Sequence, residues 1–465
     1  MNTIKRISTG LAMLLAGTAE LALAQSAPVS LPEAITVAVN SNPQVAQAQY
    51  NKEAIQFERK QAQGLYAPRV DIEGSAGIRS LDNTTRRSLG IADDELYPLE
   101  AQARLDWTVF DFGRRRGELH RQSARVDGAS LRVLERSEFI ALQVTRQYLD
   151  LMLQQRVVAA TLDNVSFHRT LAGDLGTGVE QGSISIADKQ QAEERLQAAI
   201  VRQAEAEQDL AEARIKLRHL TALDITDVQM PPELAASLPA TLEEAVGLAR
   251  SQNPLVREAM ADVDAASAHA SSVKGDGLPK IGVELISRIG EDVDGFKGRT
   301  TDLQARGYLR WNVFDGGISR ANYQEMVRRA SESRYRLYDV TRQAEEDVRI
   351  AWTTMNTQKR LVKEVTTQTR VSDDLLLSYR SQFNVGRRSL LDVLDAQNTR
   401  YNAQVRLETA RFSEIFAQYQ TLAATNRLLT ALNVAPGAGA GETERERFKF
   451  GPAAPAEVQY RTPPK

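Results

Sequence analysis

The chain has 465 residues, of which 42% are hydrophobic, 25% charged and 6% aromatic, and its formal net charge is −2. So balanced a charge excludes a general electrostatic binder of nucleic acid. The absence of cysteine excludes disulfides, thiolate catalysis, cysteine-ligated zinc and a lipid-modified N-terminal cysteine.

The first segment reads as an address. Lys5 and Arg6 precede an apolar run from Leu11 to Ala16, and Ala22-Leu23-Ala24 follows. This order of charge, apolar core and small-x-small predicts a secretory signal over residues 1–24, cut after Ala24. No later segment has the ~20 apolar residues of a membrane-spanning helix.

A helix is expected from Leu31 to Gly64, nicked at Asn42-Pro43 because a residue before proline avoids the helical region. Two extended segments follow, Arg69–Ser80 and Glu100–Thr108. The second alternates: Ala101, Ala103, Leu105, Trp107 and Val109 share one face, opposite Gln102, Arg104, Asp106 and Thr108. After Gly113 a very long helix is expected from Arg114 to about Ala172, then a break near Gly176–Gly182, then a return helix over Ser183–Thr221.

The order then repeats. LPEAITVAVNSNPQVAQA from Leu31 returns as LEEAVGLARSQNPLVREA from Leu242, with Asn253-Pro254 lying 211 residues after Asn42-Pro43. Trp107-Thr-Val-Phe-Asp-Phe-Gly113 returns as Trp311-Asn-Val-Phe-Asp-Gly-Gly317, 204 residues on, and Gly182 and Asp188 match Gly386 and Asp392 at the same spacing. The chain is therefore internally duplicated: repeat 1 over 25–230 (strands about 69–112, helical hairpin 113–221) and repeat 2 over 231–432 (strands about 280–316, hairpin 317–431). The fall from 211 to 204 places seven extra residues between the first pair of strands, around Leu81–Pro98. Residues 433–465, rich in Gly, Ala and Pro, are expected to be a disordered tail.

Four amphipathic strands cannot close a barrel, and a sheet in a membrane cannot leave edges open. Sharing strands between chains resolves this: three chains supply 12, with room for an aqueous bore. Arginines on the polar face suit such a bore and not lipid, while Trp107 and Trp311 suit a membrane interface.

A signal segment, two copies of helix, strand pair and long hairpin, NP near each start and WxVFDxG after each second strand together resemble TolC-like outer-membrane channels. Phe383-Asn-Val-Gly386, followed by Ser389-Leu-Leu-Asp-Val-Leu-Asp395, adds to the resemblance, which spans about Leu31 to Leu432. It implies a mainly α fold with a small β part: a homotrimer whose shared 12-stranded barrel sits in outer-membrane lipid above a periplasmic coiled-coil tunnel. It also implies two partners, a periplasmic adaptor (membrane fusion) protein and an inner-membrane ABC or proton-driven transporter. Asp392 and Asp395 would form an acidic ring at the periplasmic tip. Arg388 and its copy-one partner Asp188 would tie the coiled coils shut, and Gly182 and Gly386 would form the tip turns that meet the adaptor. Phe383 stands where a tyrosine is usual and Ala187 where a threonine can stand, so two hydroxyl restraints are missing from that gate.

No motif supports catalysis, a cofactor or a metal. His120, His168, His219 and His269 lack ligand spacing and read as helix-surface or interface residues. The expected function is a trimeric exit duct, with type I protein secretion ahead of multidrug efflux because no cysteine is present to carry a lipid anchor. A non-channel periplasmic scaffold is the reading from another class, in which Arg388 and Asp392 would be only an exposed i, i+4 ion pair worth roughly 0.3–0.5 kcal/mol.

Overall fold

A computed structural model describes residues 28–445; the expected signal segment and Ala24 lie outside them. Helix α1 (Leu31–Ser41) buries Leu31, Ile35 and Val39 and stops at Asn42. Helix α2 (Pro43–Gly64) begins at the next residue, and the Asn42 side chain accepts the Gln44 N–H at 2.9 Å. The pattern recurs at α6 (Leu242–Gln252) and α7 (Pro254–Asp276), where Asn253 accepts the Leu255 N–H at 2.9 Å. Asparagine satisfies an orphaned donor, and proline at the first helical position has none to satisfy.

The strands β1 (Arg69–Ala76), β2 (Leu99–Phe110), β3 (Lys280–Glu291) and β4 (Arg299–Arg310) form one antiparallel sheet in chain order. Its register gives two distinct faces. One carries Val70, Ile72, Leu105, Trp107, Val283, Leu285, Leu303 and Leu309, with no charge except the rim pair Glu291 and Arg299. The other carries the basic side chains Arg69, Arg104, Lys280, Arg288, Arg306 and Arg310, matched by Asp71, Glu73, Glu100, Asp106, Glu284 and Asp302.

The connection between β1 and β2 (77–98) is far longer than that between β3 and β4 (292–298). It holds a short helix, α3 (Thr84–Ser88), and the fully buried Arg86, which donates to the carbonyls of Gly295, Ile91 (2.6 Å) and Asp94 (2.7 Å). The two outer loops are thus pinned together.

Helix α4 (Arg114–Glu180) and its copy α8 (Ile318–Asn384) each run 67 residues, about 100 Å. The helix expected to weaken after Ala172 continues through Gly173, Gly176 and Gly178. Leu171, Ala172 and Leu175 pack into a core near the tip, which offsets the ~1 kcal/mol that a helical glycine costs. The return helices are α5 (Ile186–Thr221) and α9 (Leu390–Ala424). The single helix expected up to Ala431 is broken after Ala424, where Asn426 turns left-handed at φ 55° before α10 (Leu428–Ala431).

Nearest the sheet the helices pack in the order α2, α4, α7, α8, and farther away in the order α5, α4, α9, α8. The central α4 and α7 approach closely: a Cβ on Gly117 would lie 2.6 Å from the Ser272 nitrogen. A mid-height core gathers Ile35, Val144, Tyr148, Leu217, Phe412 and Leu422. Tyr148 donates to the Val29 or Gln229 carbonyl, each at 2.7 Å, and Tyr419 to that of Pro232 at 2.9 Å.

The tail departs from expectation. Over 433–445 it is not free but lies against the helical wall. Gly437 donates its N–H to Ser137 at 3.0 Å, and the buried Asp127 accepts the N–H groups of Thr443, Glu444 and Arg445 at 3.1, 3.0 and 2.7 Å. The Arg445 side chain adds bonds to Asp127 at 3.2 Å and Asp264 at 3.0 Å; Glu444 pairs with Arg59 at 2.8 Å, and Glu442 with Arg257. Residues of α2, α4 and α7 hold it, so it fastens one repeat to the other. Composition reads this segment as disordered because its partners lie some 180–390 residues away in the chain. Removing Asp127 would leave three backbone donors unmet, at about 1–3 kcal/mol for each that stays buried, while Arg445 keeps only Asp264 and Glu442. Asp127→Ala is therefore expected to free the run, so that trypsin cuts at Arg445 before the body is touched; an unchanged digestion pattern would show that Asp127 does not anchor it.

Glu138 lies beside the same run, 6% exposed, and accepts the Leu429 N–H at 3.3 Å. Burial pushes its carboxyl up to about 8 from the ordinary 4.5. In the unfolded chain it ionises at the ordinary value, so its destabilising effect is absent below 4.5, grows through the interval and is complete above 8. Glu138→Gln keeps the acceptor and should flatten the decline in Tm that the parent shows between about pH 5 and about pH 8.5.

Candidate functional site

Two places carry the residues singled out in the sequence: the ends of the strands and the far tip of the hairpins. At the first, WxVFDxG is a corner. Asp111 accepts the N–H groups of Gly113 (3.3 Å) and Arg115 (3.1 Å), and Asp315 those of Gly317 (3.0 Å) and Ser319 (2.9 Å). Each aspartate caps the long helix that starts there, because Gly113 (φ 94°) and Gly317 (φ 89°) are left-handed and offer no side chain for the purpose. Arg115 fixes the first corner further through Asp111 (2.8 Å) and the Thr108 carbonyl (2.6 Å).

The tryptophans occupy equivalent posts. The Trp107 indole donates to the Tyr66 carbonyl at 3.0 Å, and that of Trp311 to Gly277 at 3.3 Å. Both stay exposed, as do Phe110, Phe112 and Phe314. Trp107 lies inside β2, whereas Trp311 falls just past the end of β4.

At the tip, Gly182 (φ 72°) and Gly386 (φ 73°) close the two turns. Ser185 caps α5: its hydroxyl accepts the Asp188 N–H at 3.1 Å and donates to the Asp188 carboxylate at 2.7 Å. Ser389 caps α9 in a reciprocal box, accepting the Asp392 N–H at 3.2 Å and donating its own N–H and hydroxyl to that carboxylate at 3.3 and 2.8 Å. The serine hydroxyl, with Arg388 adding to it, holds Asp392 below the usual carboxylate range. Arg388 pairs with Asp392 at 3.7 Å, donates to Gln382 at 3.2 Å and lies 4.2 Å from the Tyr379 ring centre. Asp395 is exposed one turn farther along α9.

Within one chain Asp188 is engaged by Ser185 and Arg388 by its own hairpin, so the two are not brought together. Phe383 is half-buried among Leu171, Leu175, Leu390 and Leu394, joining the hairpins through their apolar core. The sequence reading missed the polar clamp above it. Arg400 of α9 bonds Asp373 of α8 at 2.7 Å and Asp163 of α4 at 3.0 Å, and the buried Gln397 donates to Asn164 at 2.8 Å. No spacing rule finds partners 237 residues apart. His168, read as a helix-surface or interface residue, is buried, and desolvation together with Arg195 and Arg202 lowers it to about 4. Among the described residues no helix is long and apolar enough to cross a membrane.

The model of the family described as outer membrane efflux protein matches residues 34–223 and 245–434, one block in each repeat. Protein CyaE of Bordetella pertussis is 26% identical over 302 residues, 64% of this chain and 62% of that protein. Outer membrane efflux protein BepC of Brucella suis is 22% identical over 62% of this chain and 63% of its own length. The alignments thus span less than two thirds of either relative. The Campylobacter jejuni CmeC outer membrane channel superposes with a TM-score of 0.76 at 13% identity, over 86% of each chain, a likeness of fold. The duplicated strand pairs, the WxVFDxG corners and the family match in both repeats lead to one conclusion: the chain belongs to the outer membrane efflux protein family, the trimeric TolC-type channels of the outer membrane with a large periplasmic part.

Proposed function

We propose that the protein is an exit duct that passes substrates from an inner-membrane transporter and periplasmic adaptor to the cell exterior, and that its cargo is protein delivered by a type I secretion system. The observation that carries the duct is the matched pair of open edges. β1, α2 and α5 border the chain on one side, and β4 and α8 on the other. Three copies joined edge to edge give the 12 strands of a closed barrel with its polar faces inward. Support for secretion is narrower, resting on the cysteine-free sequence; multidrug efflux is the second reading, favoured by the likeness to outer membrane efflux protein BepC. Deleting the gene separates them. Loss of a secreted protein with unchanged drug sensitivity supports secretion, and raised sensitivity with an intact secretome supports efflux.

The domain limits and site roles belong to the same proposal: repeat 1 ends near residue 230, Trp107 and Trp311 mark the membrane interface, and the turns at Gly182 and Gly386 meet the adaptor. The 77–98 loop then faces the exterior. A cysteine at Asn83, exposed at the head of α3, should react with an impermeant thiol reagent on intact cells. Protection there, with labelling of a cysteine at Gly182, would mean the inverse orientation.

At the tip, Asp392 and Asp395 of three chains form a ring of six carboxylates, with Arg388 restraining the hairpins and Asp188 reaching it from a neighbouring chain. Asp392→Ala/Asp395→Ala should abolish block by multivalent cations in planar bilayers and reduce cation selectivity. Ser389 still caps α9 in that variant, so folding should change by no more than about 1 kcal/mol. Arg388→Ala should instead raise conductance. Wild-type conductance, selectivity and block in both variants would place the constriction elsewhere.

A further inference from the structure

We propose that Glu284 sets the ionic balance of the barrel bore and so determines which sign of charge the membrane section favours. This rests on the reading that the polar face of the sheet lines the bore. That face is balanced, six basic side chains against six acidic ones in each chain. Glu284 occupies the middle of β3, and its side chain is only 7% exposed. Its cross-strand neighbours are Asp106 on β2 and Arg306 on β4. One carboxylate serves two guanidinium groups: Arg104 approaches at 3.3 Å and Arg306 is bonded directly. Both arginines are about half exposed above it.

Asp106 is otherwise occupied. The Tyr308 hydroxyl donates to it at 3.2 Å, reaching across β3 over Gly282, where a Cβ would come within 2.5 Å of the ring. The carboxylate directly opposite Glu284 is therefore already committed. Loss of the Glu284 charge changes the balance to six against five, one net positive charge per chain and three per trimer. Fixed charges lining an aqueous bore bias which ions pass, and dilute salt leaves such a field poorly screened.

The test is the reversal potential of purified trimers in planar bilayers under a KCl gradient at low ionic strength. Glu284→Gln keeps a hydrogen-bond acceptor for both arginines and should lower the potassium-to-chloride permeability ratio by about twofold or more. Glu284→Gln/Arg104→Gln restores the balance and should return the ratio to that of the parent. If Glu284→Gln does not assemble, Arg306→Gln removes a cation and should shift the ratio in the opposite direction. Unshifted ratios in conducting Glu284→Gln and Arg306→Gln trimers would overturn the proposal. The underlying reading is tested separately by single cysteines. A cationic thiol reagent should reduce current through Gln304→Cys and not through Leu303→Cys. Current lost through Leu303→Cys alone would overturn the bore assignment itself, whereas block at Gln304→Cys with unshifted ratios would overturn only the role of Glu284.

Discussion

An open sheet edge in hydrocarbon is the constraint on which the rest of the protein depends. Each unpaired backbone N–H or C=O costs several kcal/mol where no water can reach it, and β1 and β4 expose a whole edge each. No arrangement within one chain removes them, since the connections already place β2 and β3 at the centre. The two edges belong to different elements, so they meet head to tail, and a head-to-tail contact closes a ring under cyclic symmetry and not under a twofold axis. The helices extend the same edges downward, which makes the tunnel wall continuous with the barrel wall.

Joining a sheet to helices of such length requires rigid corners. Aspartates 111 and 315 start the long helices, and the two indoles tie the strand ends to carbonyls just beyond α2 and α7. Lower down, the two repeats are fastened by polar groups as well as by the apolar core. Asp127, Ser137 and Glu138 on α4 accept N–H groups from the chain between Leu429 and Arg445, and Arg400 bridges the hairpins nearer the tip. Small residues such as Gly117 let α4 and α7 come close, and polar clamps then fix their relative positions.

The elements were legible in the sequence because their signals are local. Alternation in 100–108, the Asn-Pro nicks, the WxVFDxG corners and the offsets of 211 and 204 each occupy a short window or a direct comparison of one window with another. What escaped notice depends on distant partners. Gly/Ala/Pro composition after Val434 gives no sign of Asp127, which supplies the order. The break read at Gly176–Gly182 falls at the end of that window, because packing at Leu171 and Leu175 carries the helix on from Ala172 to Glu180. Alternation puts Arg104 on the polar face of its strand, but does not show that one carboxylate on β3 serves both it and Arg306. At the tip, spacing correctly put Arg388 within reach of Asp392, while the serine that holds the aspartate emerged only from the geometry.

The equal lengths of α4 and α8, and the near-equal 36 and 35 residues of α5 and α9, have an evolutionary corollary. Both hairpins hang from one rigid rim and must reach the same depth. A lineage cannot lengthen one of them alone: each added turn displaces a tip by ~5.4 Å and shifts every side chain below it out of step with its neighbours. Viable length changes are therefore concerted, adding matched segments to all four arms at once and in steps that preserve the packing phase. The depth of the duct is inherited as a single quantised trait of the duplicated gene.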